Sequence, residues 1–313
     1  MINQLIGKAQ SAKMLPYLGL ACTSLFWAGN ALVARGLSTD IAPLALAFYR
    51  WLLCAILVSP FIFRAIQRHL IIIKTYWQKI TILSLLSVTG FNSLLYMSAQ
   101  HTSALNITLV NSLMPVTTLV LAIPIFQQRI SLKNFCGVIL AFLGALFVIL
   151  RGDFGSLLEL SINRGGGIMA IAMVVWSVYT LLLRKWQIPV PGFDLFAILV
   201  GFGLILLLPF YLWEYRLTGG FALSPDMFAA IAYVAVFPSL LAYLFWNYGV
   251  TQTSPSTAAL FAYLTPLITA LLSVPLLNEK PELYHAIGGV AILLGLWLSY
   301  NIGQRNVKLQ KDA

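Results

Sequence analysis

Apolar runs of about twenty residues, each bounded by charges or by Pro/Gly/Ser clusters, recur from one end of this chain to the other. About twenty residues is what a helix needs to cross a hydrocarbon layer roughly 30 Å thick. With 60% hydrophobic and 9% charged residues and a mean hydropathy of +0.90, an ordinary soluble enzyme is excluded, since soluble domains carry about 25% charged residues. The chain reads as a polytopic membrane protein.

The runs place ten spans, at 14–34, 42–63, 79–99, 104–126, 132–150, 166–184, 194–213, 226–248, 256–277 and 283–302. The first is too long for a signal segment and has no small-x-small cleavage site after it, so it is expected to stay in the mature chain. Connections are short and leave no room for an extramembrane domain. Cys22, Cys54 and Cys136 fall inside apolar runs without metal-ligand spacing and read as small core residues.

Basic residues are retained on the cytoplasmic side of short loops. Lys8, Lys13, Arg64, Arg68, Lys74, Lys79, Arg129, Lys133, Arg184, Lys185 and the Arg305, Lys308 and Lys311 tail fall on one side, against Arg35, Arg151, Arg164, Arg216 and Lys280 on the other. Both termini are therefore expected in the cytoplasm. The net charge of +10 is topological, and no nucleic-acid partner is expected.

A shift of 151 residues aligns Thr102-Ser103 with Thr253-Ser254, Pro115 with Pro266, Pro124 with Pro275, Gly137 with Gly288 and Gly144 with Gly295. Nearer the start of each half a shift of 149 aligns Trp27 with Trp176 and Arg35 with Arg184. The chain is thus expected to be one five-span unit written twice. Because five is odd, the second copy should lie upside down relative to the first, the plan of many secondary transporters. The fold expected is an all-α integral membrane protein of ten transmembrane helices, two inverted five-helix repeats (14–150 and 166–302) around a central cavity. A linker (151–165) joins the repeats and a cytoplasmic tail (303–313) ends the chain.

Several stretches together resemble the EamA family of the drug/metabolite transporter superfamily: LFWAGN (Leu25 to Asn30), LAFYRWLLCA (Leu46 to Ala55), TSALNITLVNSLMP (Thr102 to Pro115) and its partner TSPSTAALFAYLTP (Thr253 to Pro266). The family's Gly-Glu-Arg/Lys turn after spans 4 and 9 here reads Gln127-Gln128-Arg129 and Asn278-Glu279-Lys280. The resemblance implies export of amino acids, aromatic or neutral ones foremost, or of related metabolites across a bacterial inner membrane. Other cargoes in play are organic cations, drugs and nucleosides.

Mid-span polar residues are costly in lipid and face the bundle interior or a water-filled cavity. Trp27 and Asn30 in span 1 align with Trp176 and Tyr179 in span 6; Asn92 and Tyr96 in span 3 align with Tyr243 and Asn247 in span 8. Each doublet shares a helix face. Aromatic rings and amides at matched positions suit a small, partly apolar zwitterion; the bland alternative is helix packing, the reading preferred for Trp246 and Tyr248. Pro115 frees the carbonyl of Asn111 and Pro266 that of Ala262, next to Ser112 and Tyr263, which are themselves repeat mates. Asn111, Ser112 and Tyr263 therefore join the substrate-binding candidates, and Pro115, Pro124, Pro266 and Pro275 the hinge candidates. Arg50, the one full charge well within a span, either attracts a substrate carboxylate or bonds neighbouring helices; its recurrence in the family whatever the cargo favours the second role.

The glycines at seven-residue spacing in spans 5 and 10 read as packed scaffold or a dimer face; a monomer and a homodimer are both compatible with the sequence. No HExxH, GxSxG or paired carboxylates occur, Gly165 to Gly167 lacks the rest of a phosphate loop, and no cofactor is expected. A channel differs from a carrier in lacking saturation and counter-flow. With no carboxylate or histidine in mid-span, downhill export or exchange is expected rather than proton coupling through a buried acid.

Overall fold

Helicity follows hydropathy in the computed structural model, which describes residues 2–102, 107, 110–127, 131–150, 152–153, 155, 164–268 and 282–311. Seven helices are long and apolar enough to cross a membrane: α1 (Ile2–Gly36, apolar over Met14–Ala34), α2 (Pro43–Arg68), α3 (Leu70–His101), α5 (Leu132–Ile149), α6 (Arg164–Trp186), α7 (Gly192–Thr218) and α8 (Pro225–Gln252). Three further apolar helices are shorter within the described residues: α4 (Met114–Phe126), α9 (Pro255–Ile268) and α10 (Leu283–Lys311, apolar over Ala286–Leu298). Phe63, Ile205, Trp213 and Trp297 are exposed on the outer faces, the reverse of a soluble domain and the surface that lipid covers. This is a multi-pass membrane protein.

Several helices outrun their apolar runs. α1 begins at Ile2 and α3 takes in Lys74 and Lys79, with a bend at Tyr76; α6 starts at Arg164, inside the stretch read as linker. Helical hydrogen bonding does not require an apolar side chain, so hydropathy marks where lipid contact ends rather than where the helix ends. Cys54 is buried as expected, Cys22 is half-buried, and Cys136 is exposed on α5, a lipid-side residue rather than a core one.

Helix starts are written locally. Ser131, Ser224 and Ser254 accept backbone N–H groups of Asn134, Met227 and Thr257, and Pro225 and Pro255 occupy first-turn positions where no N–H is missed. Ala42, ahead of α2, has no capping side chain. Glu214 of α7 supplies the cap instead, its carboxylate accepting from Leu44 N at 3.1 Å and Ala45 N at 2.7 Å.

Equivalent helices of the two halves pack on each other: α2 on α7, α4 on α9 and α5 on α10, while α1 packs on α8 as α3 packs on α6. Irregularities recur too. α3 widens to a π-helix over Leu85–Phe91 and α8 over Ala235–Leu241, and Pro60 in α2 matches Pro209 in α7. Where α5 crosses α10, a Cβ on Gly144 would lie 2.8 Å from Gly288 O, and one on Gly288 would lie 2.7 Å from Gly144 O. Only glycine permits that approach. Around this crossing Leu119, Val138, Ala141 and Ile292 form a small core of their own, apart from the main one that holds Trp27, Trp176 and Tyr243.

Candidate functional site

The predicted Trp27 and Trp176 meet. Their rings stand edge to face, centroids 5.3 Å apart and planes at 82°, the arrangement that the aromatic quadrupole favours. Trp176 is fully buried at the middle of an aromatic layer. Trp246 lies 4.9 Å from Trp27 and 5.6 Å from Trp176, Phe91 lies 4.6 Å from Trp176, and Tyr243 lies 5.2 Å from it. The indole N–H of Trp176 has no hydrogen-bond partner among the described residues.

Polar groups thread this layer in a pattern that repeats. Tyr96 OH donates to Asn30 Oδ1 at 3.0 Å, and Tyr179 OH donates to Asn247 Oδ1 at 2.7 Å. Asn30 aligns with Tyr179 and Tyr96 with Asn247, so the two bonds are equivalent with tyrosine and asparagine exchanged. Between them Asn92 Nδ2 donates to Tyr243 OH at 2.8 Å. Ser87 O accepts from both Asn92 Nδ2, at 3.0 Å, and Tyr243 OH, at 2.9 Å. Ser87 lies in the π-helical turn, where a disturbed ladder leaves its carbonyl open to side chains.

Arg50 projects into the same region and is 1% exposed. Its Nε donates to Ser239 Oγ at 2.7 Å, and one terminal nitrogen donates to Tyr96 OH at 2.6 Å and Asn30 Oδ1 at 3.4 Å. Ser239 in turn donates to Val234 O at 2.6 Å, the carbonyl whose helical donor would have been the nitrogen of Pro238. A proline thus prepares the acceptor that orients the arginine.

Two cavities lie along α1 and α6, the smaller one against Trp27. One, of about 80 Å³, is lined by Trp27, Asn30, Arg50, Asn92, Asn111 and Met169 among others. The other, of about 710 Å³, runs along Leu15, Leu18 and Cys22 of α1 and Leu183 of α6, and reaches Asn247. On α1 the two occupy successive stretches, the small one from Trp27 to Leu32. On α6 Trp176 lies between Met169, beside the small cavity, and Leu183, beside the large one. Along α1 and α6 the aromatic layer therefore lies next to the small cavity, and the larger space opens at the surface, where Leu15, Leu18 and Tyr248 are exposed.

Asn111 reaches the small cavity, while Ser112 is buried in the turn that follows it. Tyr263 is not brought into the group. It is buried in the small core at the α5–α10 crossing, its hydroxyl facing Val138 O at 3.5 Å. Pro115 stands in the first turn of α4, after a break at Ser112 and Leu113. Ahead of Pro266 the chain tightens to a 3-10 turn over Phe261–Tyr263, at the matching place. In both copies the freed carbonyl one turn before proline ends regular helix. Pro124 lies two residues from the end of α4, capped by Gln127 in the left-handed region (φ 53°). Pro275, Gln128, Arg129 and Asn278 to Lys280 lie outside the described residues.

Trp246, Phe91 and Ser239 lie in this cluster without a place among the candidates read from the sequence. Trp246 reads from the sequence as packing, and it does pack on Trp27 and Trp176; it follows Tyr243 by about one helical turn and shares its face, a spacing that ties it to the same cluster. Ser239 left a weaker trace, next to a mid-helix proline. Phe91 left none.

A model of the EamA-like transporter family matches residues 14–150 and 163–301. Among curated relatives, an uncharacterised transporter of Archaeoglobus fulgidus is 29% identical over 90% of this chain and 96% of its own. A probable terminal-alkyne amino-acid exporter of Streptantibioticus cattleyicolor is 22% identical over 72% of this chain and 73% of its own. A protein of known crystal structure shares the fold with a TM-score of 0.71 at 17% identity, over 94% of this chain and 99% of that one.

Proposed function

The chain belongs to the EamA-like transporter family, and on that premise we propose that it exports small metabolites, namely amino acids, aromatic or neutral ones foremost, from a bacterial cytoplasm. It is a membrane transporter and not an enzyme, as its relatives are. The observation that carries the cargo reading is the layer of Trp27, Trp176 and Trp246 laced by two equivalent Tyr–Asn bonds: rings to hold an apolar side chain, amides and hydroxyls to hold an amino-acid head. The relative described as an amino-acid exporter agrees with it.

The mechanism proposed is alternating access in a bundle of ten crossings, the second five inverted, with both termini cytoplasmic. In an inverted repeat the second state arises when the two copies exchange conformations, so each contact is replaced by its mate. Under that exchange Asn30–Tyr96 and Tyr179–Asn247 trade places, while Asn92–Tyr243 maps onto itself and serves as the fixed pivot. The breaks before Pro115 and Pro266 supply matched hinges. The carboxylates of Asp194 and Glu214 lie at the two ends of α7, engaged by His69 and by the start of α2, which supports downhill export or exchange.

Counterflow in proteoliposomes tests this. Phenylalanine, leucine and neutral relatives should exchange saturably, without an imposed pH gradient, and the Trp27→Ala/Trp176→Ala double variant should lose exchange. A requirement for a proton gradient would remove the coupling claim, and movement of none of the amino acids would remove the cargo claim.

A further inference from the structure

We propose that Arg50 is the receptor for the carboxylate of the exported molecule, and that the neutral groups now holding it are occupants that the carboxylate displaces. This rests on the transporter reading above and narrows its cargo.

A guanidinium that is 1% exposed is expensive to keep in a membrane interior unless something meets its charge. Every acceptor the structure gives Arg50 is neutral: Ser239 Oγ, Asn30 Oδ1 and Tyr96 OH. No carboxylate lies within ion-pair distance of it among the described residues. The repeat provides an internal control. At the equivalent place in the second half stands Leu199, 2% exposed, so this position in the packing of α2 on α7 is filled equally well by an apolar side chain. The charge is needed for something that packing does not ask.

The small cavity is the matching space. Asn30, Asn92 and Asn111 line it together with Arg50, and its volume is about 80 Å³. One water needs roughly 10 to 15 Å³ of such space. By that measure the cavity takes about five to eight water-sized groups, enough for a carboxylate with its amine-bearing carbon but not for an aromatic ring beside them, the amides receiving the ammonium group; the ring of an aromatic cargo must be admitted by movement of Trp27 on its wall. Arg50 also ties together α1, α2, α3 and α8 through Asn30, Tyr96 and Ser239. A carboxylate taking the terminal nitrogen loosens the Asn30–Tyr96 side alone, because the Tyr179–Asn247 bond has no arginine. Organic cations are excluded from this place by charge.

Binding to the purified full-length protein is read by thermal shift and tryptophan fluorescence with phenylalanine, 3-phenylpropionate and phenethylamine, alongside counterflow of the same compounds. The two carboxylates should bind and phenethylamine should not; Arg50→Gln should abolish the difference. Should Arg50→Gln fail to fold, Tyr96→Phe decides: it removes the shorter of the two bonds that hold the terminal nitrogen, leaving only Asn30 Oδ1 at 3.4 Å, and carboxylate affinity should rise about tenfold, the worth of one competing hydrogen bond to a charged group. Binding of phenethylamine as tight as that of phenylalanine, no response to either carboxylate, or an unchanged or weakened affinity in Tyr96→Phe would overturn the assignment. Carboxylates that bind but are not carried would sink the export reading and leave Arg50 its role. Acids and amine carried alike would do the opposite.

Discussion

Asn92 donates a 2.8 Å hydrogen bond to Tyr243, a residue 151 positions away and its own counterpart in the second copy of the repeat. In the inverted arrangement proposed above, a residue that touches its own mate lies on the axis relating the copies, and the proposed exchange of conformations leaves such a contact in place. The Trp27–Trp176 contact has the same property. The centre of this transporter is therefore built from self-paired positions, flanked by the exchanged pair of Tyr–Asn bonds.

The first prediction concerns that axial bond. A double-mutant cycle with Asn92→Leu and Tyr243→Phe should give a coupling of about 1 kcal/mol or less, the usual range for side-chain bonds between membrane helices. Counterflow should fall in both single variants if the bond is the pivot. Undiminished exchange in Tyr243→Phe would remove the pivot role while leaving the bond itself untouched.

Trp176 gives a second. Its N–H is buried without a partner among the described residues, and phenylalanine keeps much of the ring while deleting that donor. A buried unsatisfied donor carries a penalty of about 1 to 3 kcal/mol, which offsets the smaller ring. Trp176→Phe should leave the melting temperature within a few degrees of wild type, while the half-saturating concentration in counterflow should rise several-fold. Equal half-saturation would mean that the indole N–H does not meet cargo in any state.

Glu214 gives a third, independent of transport. Glu214→Ala should strand the N–H groups of Leu44 and Ala45 at the positive end of α2 and cost about 1 to 2 kcal/mol. Glu214→Gln keeps one acceptor and should recover part of that. Melting temperatures of the purified variants decide, and a fully stable alanine variant would mean that another group caps the helix.

The α5–α10 crossing gives a fourth. Gly144→Ala would set a Cβ 2.8 Å from the backbone oxygen of Gly288, which no side-chain rotation relieves. A loss of about 1 to 3 kcal/mol is expected, the usual cost of overpacking, with normal counterflow per folded molecule because the crossing is apart from the tryptophans. A folded variant that cannot exchange would show instead that the crossing moves during transport.

Glycine spacing marks α5 and α10 for close contact without coordinates, as packed scaffold or a dimer face: Gly137, Gly144, Gly288 and Gly295 are regularly placed, and close approach is a local property of residues without a side chain; that the two helices meet each other is seen only in the structure. The same spacing logic found Trp27, Asn30, Asn92, Tyr96 and their mates. It also singled out Tyr263, which the fold turns toward Val138 instead. Tyr243 and Tyr263 look alike in sequence, each a mid-span aromatic in a run that is apolar nearly all round. A helix with no polar stripe carries no mark of which face meets protein and which meets lipid.

By itself the sequence determined that this chain lives in a membrane, where its apolar stretches lie, and which residues of the two copies correspond. These follow from transfer energies and duplication, both written in linear order. Only the tertiary structure decided that Asn92 meets Tyr243, that Trp246 completes the tryptophan layer, that Ser239 rather than a carboxylate holds Arg50, and that some 80 Å³ remains beside it. Those outcomes depend on how far each helix is rotated and tilted against its neighbours. That rotation is set by the packing of the whole bundle at once and by no single segment.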